Sequence, residues 1–313
     1  CYHRKYIDLD KVKDMNKTDL KNLTYLDYPP ITDDLELAKS HLDDYGVAII
    51  KDVLSSESVN KIKERLEEQF YGEEKYNVGS KSRGDEGFGQ EVGEEEKVSR
   101  LVWNLINKGD CFLQFIDHPK ILPLIQHAIG EKVILCSMGA HMNGSNNQRM
   151  PLHQDQWPLV PHPMNFDFMA NSMVLISDNS PENGGTRLIP GSHKWPLIDY
   201  KIANSEEVQN NVQSITAPAG SAIVWSGRVW HGNGLNRSGK IRSNISTAYF
   251  QPWVRPQENH TYSVRKEVLE KLTDRQRHIL GFSPFGTLGG HDGSSVSPAE
   301  FDRDRESIGV LKP

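Results

Sequence analysis

The sequence has no run approaching the roughly 18 to 20 consecutive apolar residues that a membrane-spanning helix needs. Its best apolar runs, such as Val47 to Ile50, have the length of buried strands. Positive charge is not in excess either. Lys and Arg total 36 against 42 for Asp and Glu, a net charge of −6, so nothing draws the chain as a whole to nucleic acid or to anionic lipid. Cysteine is scarce: Cys1, Cys111 and Cys136 form no C-x-x-C pair, and an odd count offers no complete disulfide framework. The expected setting is therefore reducing, and cytoplasmic by default. The chain opens on Cys1 rather than Met, which reads as a trimmed or processed start.

What is present is a globular composition. With 313 residues and 36% hydrophobic content, the chain can bury a real core and is too apolar to be mostly disordered. Residues 1–31 mix charge with Tyr and end in Tyr28-Pro29-Pro30, which reads as an arm wrapping a domain. One domain is expected over 32–293, followed by a tail over 294–313. Thr32 and the acidic Asp33-Asp34 open a helical pattern through Leu35, Ala38, His41, Leu42 and Tyr45 that Gly46 stops. Val47 to Val53 reads as a strand. Ser55-Ser56 opens a second helix with Val59, Ile62, Leu66 and Phe70 on one face.

Between Gly72 and Lys97 the glycines multiply, eight residues are acidic and almost none is aliphatic. That composition predicts a long loop over 72–97 of the kind that serves as a lid. Helical patterns return at Asp110 to Ile116 and Lys120 to Ile129, with Gly130 as a stop. After residue 132 short β-type runs take over, separated by turn clusters such as Pro190-Gly191 and Asn233-Gly234. Beyond Pro256 the pattern is helical again to about Leu280. The predicted class is α+β: a double-stranded β-helix, or jelly roll, with helices packed outside it.

The sharpest local signal is Leu152-His153-Gln154-Asp155. Strand alternation sends His153 and Asp155 to one face, delivering an imidazole and a carboxylate to a single point. A metal is the natural third party. Two ligands hold a metal poorly, and Trp230-His231-Gly232-Asn233-Gly234 offers a third in a Gly-rich turn after the strand Ala222 to Trp225. Two His and one carboxylate on one face of an octahedral metal form the triad of non-haem Fe(II) oxygenases. Alone, H-x-D arises by chance. Arg242, eleven residues after His231 on the next strand, adds what such a site needs, because a planar guanidinium anchors the far carboxylate of 2-oxoglutarate bidentately. The plain alternative for Arg242 is a surface residue on a two-faced strand.

His153-Gln154-Asp155, Asn183-Gly-Gly-Thr186-Arg-Leu-Ile-Pro-Gly-Ser-His193, Trp230-His231-Gly-Asn-Gly-Leu-Asn236, Arg242 and Trp253-Val-Arg-Pro-Gln-Glu-Asn259 follow one another in order. Together they resemble the phytanoyl-CoA dioxygenase family of Fe(II)- and 2-oxoglutarate-dependent oxygenases, over most of residues 32–293. The resemblance implies the β-helix fold, His153, Asp155 and His231 as iron ligands, and Arg242 as the co-substrate anchor, with O2 as oxidant. It also implies that the Thr186 hydroxyl helps hold the same carboxylate, against the alternative of an ordinary β-branched strand residue. Family members often carry Ser two residues after the second His; Asn233 stands there and can still donate to a carboxylate, or serve the turn. A carboxylate at position 155 argues against halogenation, since halide takes that place on iron when the side chain is missing.

Other residues have weaker claims. His193 reads as a turn-stabilising side chain, because a fourth protein ligand would block oxygen. His141 and His162 flank the H-x-D strand, Trp157 follows it, Gln154 lies within it and Arg228 sits near the barrel mouth. His141, Gln154, Trp157 and Arg228 are candidate substrate-pocket residues, with packing or solvated-loop roles as the alternatives. The expected reaction is oxidation of an unactivated C–H bond of a small molecule, by hydroxylation, cyclisation or desaturation, with release of succinate and CO2. An acyl-CoA 2-hydroxylase is the neighbouring alternative. The acidic 72–97 segment disfavours it, because CoA phosphates favour Lys and Arg clusters. A cupin-type isomerase or binding module is the alternative of another class; it would need no buried Arg242.

Overall fold

The computed structural model describes residues 23–85, 99–144, 149–156, 166–196 and 198–289. Asp34 caps helix α1 (Leu35–Tyr45) by accepting from the backbone N–H of Glu36 and Leu37, and Gly46 ends it with a φ of 71°. A side chain at that left-handed position would be strained. The cap is thus Asp34, two residues after the Thr32 expected from sequence. Strand β1 (Val47–Ile50) follows. Helix α2 (Ser56–Lys75), capped by Ser55, buries Val59, Ile62, Leu66 and Phe70 along one face, as the 3.6-residue period requires.

The segment expected to be a loop over 72–97 holds regular structure in its described first half. Helix α2 runs through Gly72 to Lys75, where Glu73 pairs with Lys108 and accepts from Gln69. Strand β2 (Ser80–Asp85) then pairs with β3 (Ser99–Val102). Residues 86–97 of that segment lie outside the described residues. Residues Asp110–Phe115 form a 3-10 helix rather than an α-helix, and α3 spans Leu122–Ile129.

The remaining strands are β4 (Ile134–Asn143), β5 (Met169–Leu175), β6 (Thr186–Leu188), β7 (Gln213–Ser214), β8 (Ala222–Ser226), β9 (His231–Asn233) and β10 (Arg242–Phe250). Short helices α4 (Tyr200–Ala203) and α5 (Glu206–Gln209) precede β7; α6 (His260–Ser263), α7 (Lys266–Leu269) and α8 (Asp274–Ile279) close the described chain. Among the described residues the strands form a seven-stranded sheet, β1-β8-β5-β10-β4-β3-β2, and a three-stranded sheet, β7-β6-β9. All named strand pairs are antiparallel and the sheets do not close into a barrel. This is the jelly-roll class, with helices outside it.

Alternation along each strand splits the large sheet into two faces. One presents Ala140, Ala170, Val174, Val224 and Ile245 to the helices, where they pack with Leu42, Ile62, Leu66, Leu124 and Ile125. The other presents Val47, Ile49, Met173, Leu175, Ile223 and Trp225 to the small sheet, against Leu188, Ile215 and Val229. The arm expected over residues 1–31 is described from Leu23. Trp195 Nε1 donates to the Thr24 carbonyl and Gln213 holds both Leu26 and Tyr28. No helix among the described residues is long and apolar enough to cross a membrane.

The Trp253–Asn259 motif has a structural explanation. The Glu258 carboxylate accepts from the backbone N–H of Asn104 at 2.7 Å and of Met138 at 2.9 Å, tying the C-terminal segment to β4. Glu258→Ala orphans both donors and is expected to cost about 2–4 kcal/mol, read as a lower midpoint in chemical denaturation.

Candidate metal centre

The site begins with a backbone contact. His153 and His231 exchange both N–H···O bonds, each at 3.0 Å, and Met150 N–H donates to the Asn233 carbonyl. The 150–153 segment thereby becomes an extra partner of β9. Gly232 is required at this approach: a Cβ there would lie 2.8 Å from the Met150 carbonyl oxygen and 3.0 Å from that of Pro151. The pairing sets the two imidazoles side by side, with ring centroids 4.4 Å apart.

Both rings are fixed by the same local device. His153 Nδ1 bonds the Pro151 carbonyl at 3.1 Å and His231 Nδ1 bonds the Val229 carbonyl at 3.0 Å. A carbonyl accepts only, so each Nδ1 carries a proton, and Nε2 is the ring nitrogen left to face another partner. Those Nε2 atoms converge on Asp155, 3.4 Å from Oδ1 for His153 and 3.2 Å from Oδ2 for His231. The three potential ligand atoms lie within 4.8 Å of one another. Burial opposes ionisation of Asp155, yet His231 and His153 beside it hold its carboxyl well below the usual carboxylate range. Burial likewise works against a proton on His153, but the Asp155 hydrogen bond and charge outweigh it, so its pKa is raised from 6.5. Two imidazole nitrogens, once a metal displaces any proton on them, and one ionised carboxylate are donors suited to a divalent first-row metal.

Arg242 lies at the start of β10 and is 1% exposed. Its Nη2 donates to Asn233 Oδ1 at 3.0 Å and its Nη1 to Asn179 Oδ1 at 3.4 Å, while Nε has no partner. Burial lowers its pKa to about 10, so it remains a cation at neutral pH. No carboxylate pairs with it among the described residues. A buried, unpaired guanidinium with an idle donor is costly, and an anion of matching shape would relieve it. Thr186 stands opposite Asn233 in the β6–β9 register, with its hydroxyl donating to Met173 Sδ at 3.2 Å. Arg242 thus reaches from the large sheet to Asn233 of the small one, and Asn179, which accepts from Arg242 and from the Thr186 N–H, ties Thr186 to the same corner.

Of the substrate-pocket candidates, His141 lies within electrostatic reach of both Arg242 and Asp155. His141 is on β4, paired with Asn244 of β10 and Leu101 of β3. Burial, with Arg242 adding to it, lowers its pKa to about 4, so it is neutral. Gln154 turns to the face opposite His153 and Asp155 and donates to the Arg228 carbonyl. Arg228 is paired with Asp167, Nε to Oδ1 at 2.7 Å, which offsets its charge. Trp157 and His162 lie outside the described residues. His193 packs beneath Gly46, where an added Cβ would collide with its ring, a turn-stabilising role.

Two residues escaped the sequence reading. Asn171 Nδ2 donates to Asp155 Oδ2 at 2.9 Å. Asn179 accepts from Arg242 and from the Thr186 N–H while donating to the Ile215 carbonyl. A polar residue inside an apolar strand run was the available signal for Asn171; nothing local marked Asn179.

The model of the phytanoyl-CoA dioxygenase family matches residues 42–244. Among curated proteins, dioxygenase af480 of Aspergillus fumigatus is 27% identical over 261 residues, covering 82% of this chain and 80% of that protein. Dioxygenase andF of Emericella variicolor is 24% identical over 272 residues, covering 82% and 88%. Among solved structures, HygX of Streptomyces hygroscopicus with nickel and 2-oxoglutarate bound has a TM-score of 0.55 at 14% identity, covering 70% of this chain and 88% of that one. The α-ketoglutarate-dependent epimerase SnoN from nogalamycin biosynthesis has a TM-score of 0.52 at 17% identity, covering 71% and 86%. At these identities the structural likenesses support the fold.

Gly232→Ala is expected to push the 150–153 segment off β9 and to destabilise the protein by about 1–3 kcal/mol through overpacking. A thermal denaturation scan checks this.

Proposed function

The chain belongs to the phytanoyl-CoA dioxygenase family, and from that premise we propose that His153, Asp155 and His231 hold Fe(II) while Arg242 anchors 2-oxoglutarate beside it. The donor set fits the metal: two Nε2 atoms and an ionised carboxylate converge, with both Nδ1 protons already committed to carbonyls. The co-substrate fits Arg242, whose Nε is idle and whose charge lacks a carboxylate. That buried and unpaired cation beside the His-Asp-His cluster carries the reading, because a metal-binding protein with no keto acid to hold has no use for it.

When bound, Fe(II) with 2-oxoglutarate and O2 supplies the oxidising power, splitting the keto acid to succinate and CO2 as a substrate C–H bond is oxidised. The protein's part is placement. Arg242 forks onto the distal carboxylate of the co-substrate, with Asn233 and Thr186 supplying further polar contacts at the same corner. His141, neutral on the inner face of β4, adds no charge where a substrate approaches.

The substrate is a small free molecule, a specialised metabolite, rather than an acyl-CoA. Asp167 offsets the charge of Arg228, and the Arg187 nitrogens are spent on the Asn233 and Met150 carbonyls and Gln209 Oε1, which argues against a built site for the phosphates of a CoA tail. HygX has been solved with hygromycin B bound, and SnoN with nogalamycin RO.

The direct test is Fe(II)-dependent succinate formation from 2-oxoglutarate across a metabolite panel, with mass gain or loss read on each compound. Asp155→Ala is expected to abolish the succinate signal. Arg242→Ala is expected to raise the KM for 2-oxoglutarate roughly 30-fold or more while metal affinity is kept. Equal succinate formation in wild type and both variants contradicts the assignment, and efficient turnover of an acyl-CoA contradicts the substrate class.

A pH dependence follows from His153. Asp155 keeps a proton on that ring above the ordinary value of 6.5, and a metal must displace it. The affinity of the metal-free protein for Ni(II), measured by calorimetry, is expected to rise with pH through and above that value and then to level off.

A further inference from the structure

Asn171 is 5% exposed on the inner face of β5, in register with Trp225 of β8 on one side and Ala248 of β10 on the other. Its Nδ2 donates to Asp155 Oδ2 at 2.9 Å. Trp225, its neighbour on the same rung, packs its ring 5.2 Å from that of His231. One rung of the large sheet thus touches two of the three clustered side chains, which come from other segments. His153 and His231 each have a backbone carbonyl fixing the ring. Among the described residues Asp155 has no such backbone brace, and besides the two imidazoles its side-chain donor is Asn171.

From this geometry we propose that Asn171 is a positioning residue: it orients the Asp155 carboxylate for metal binding and engages Oδ2, leaving Oδ1 as the better ligand atom. A single-oxygen carboxylate ligand keeps coordination positions open for co-substrate and oxygen, whereas a carboxylate free to rotate can chelate through both oxygens or swing away. The idea rests on the metal-site assignment above but adds a residue and a role to it. Hydrogen bonds from outside the ligand set commonly govern metal affinity in this way, and their removal typically costs 10- to 100-fold.

The test uses Co(II) alone, titrated into the metal-free full-length protein and followed by its visible absorption. Asn171→Leu keeps the approximate shape and removes the donor; Asn171→Ala replaces it if Leu disturbs folding. Either folded variant is expected to bind Co(II) about 10- to 100-fold more weakly with altered absorption bands, and Asn171→Gln, which keeps an amide donor, to recover part of both. A folded variant that loses thermal stability yet binds Co(II) with wild-type affinity and bands overturns the proposal, leaving Asn171 a packing residue. If wild-type protein shows no Co(II) binding that Asp155→Ala removes, the metal-site assignment itself falls, and this inference with it.

Discussion

The reciprocal backbone pair between His153 and His231 is the contact on which the site depends. It joins two segments far apart in sequence, and because alternation on each side is strict, it also decides which side chains meet. Slipping either segment by one residue would turn its imidazole away and present Gln154 or Gly232 in its place. The close approach at Gly232 and the two carbonyls that fix the Nδ1 protons belong to the same arrangement. The helices on the far side of the large sheet and the apolar layer between the sheets supply the rigidity that holds this register.

Inside that frame the electrostatics are lopsided. An ionised Asp155 is surrounded by donors, whereas Arg242 Nε, Asn143 Nδ2, Asn244 Nδ2 and Trp225 Nε1 are buried without a partner among the described residues. The interior between the sheets therefore carries spare N–H groups and a spare positive charge. Buried donors left unpaired are costly, and oxygen-rich molecules with a carboxylate are the complement. That complement is the chemistry of a dicarboxylic keto acid, and the family assignment and the unpaired cation point the same way.

Much of this was legible in the sequence because it depends on local alternation and spacing. The H-x-D pair, the His231 turn, β10 from Arg242 to Phe250, and the buried face of α2 follow from periods of 2.0 and 3.6 residues. What was missed depends on tertiary pairing. Strand β4 extends to Asn143 through a stretch with Gly139, His141 and Asn143, residues that favour a strand only because β3 and β10 flank them. Asn171 and Asn179 gain their roles from partners on other strands, and Arg228 is claimed by Asp167, which no motif links to it. Helix α2 passed Gly72 because no left-handed turn was required there and Glu73 found Lys108.

The most direct measurement of the central claim is a crystal structure of the protein grown without oxygen in the presence of Fe(II) and 2-oxoglutarate. The account predicts one ion bound by His153 Nε2, His231 Nε2 and an Asp155 oxygen, with the distal carboxylate of the keto acid on Arg242. An ion held elsewhere, or a keto acid that leaves Arg242 unpaired, would contradict it.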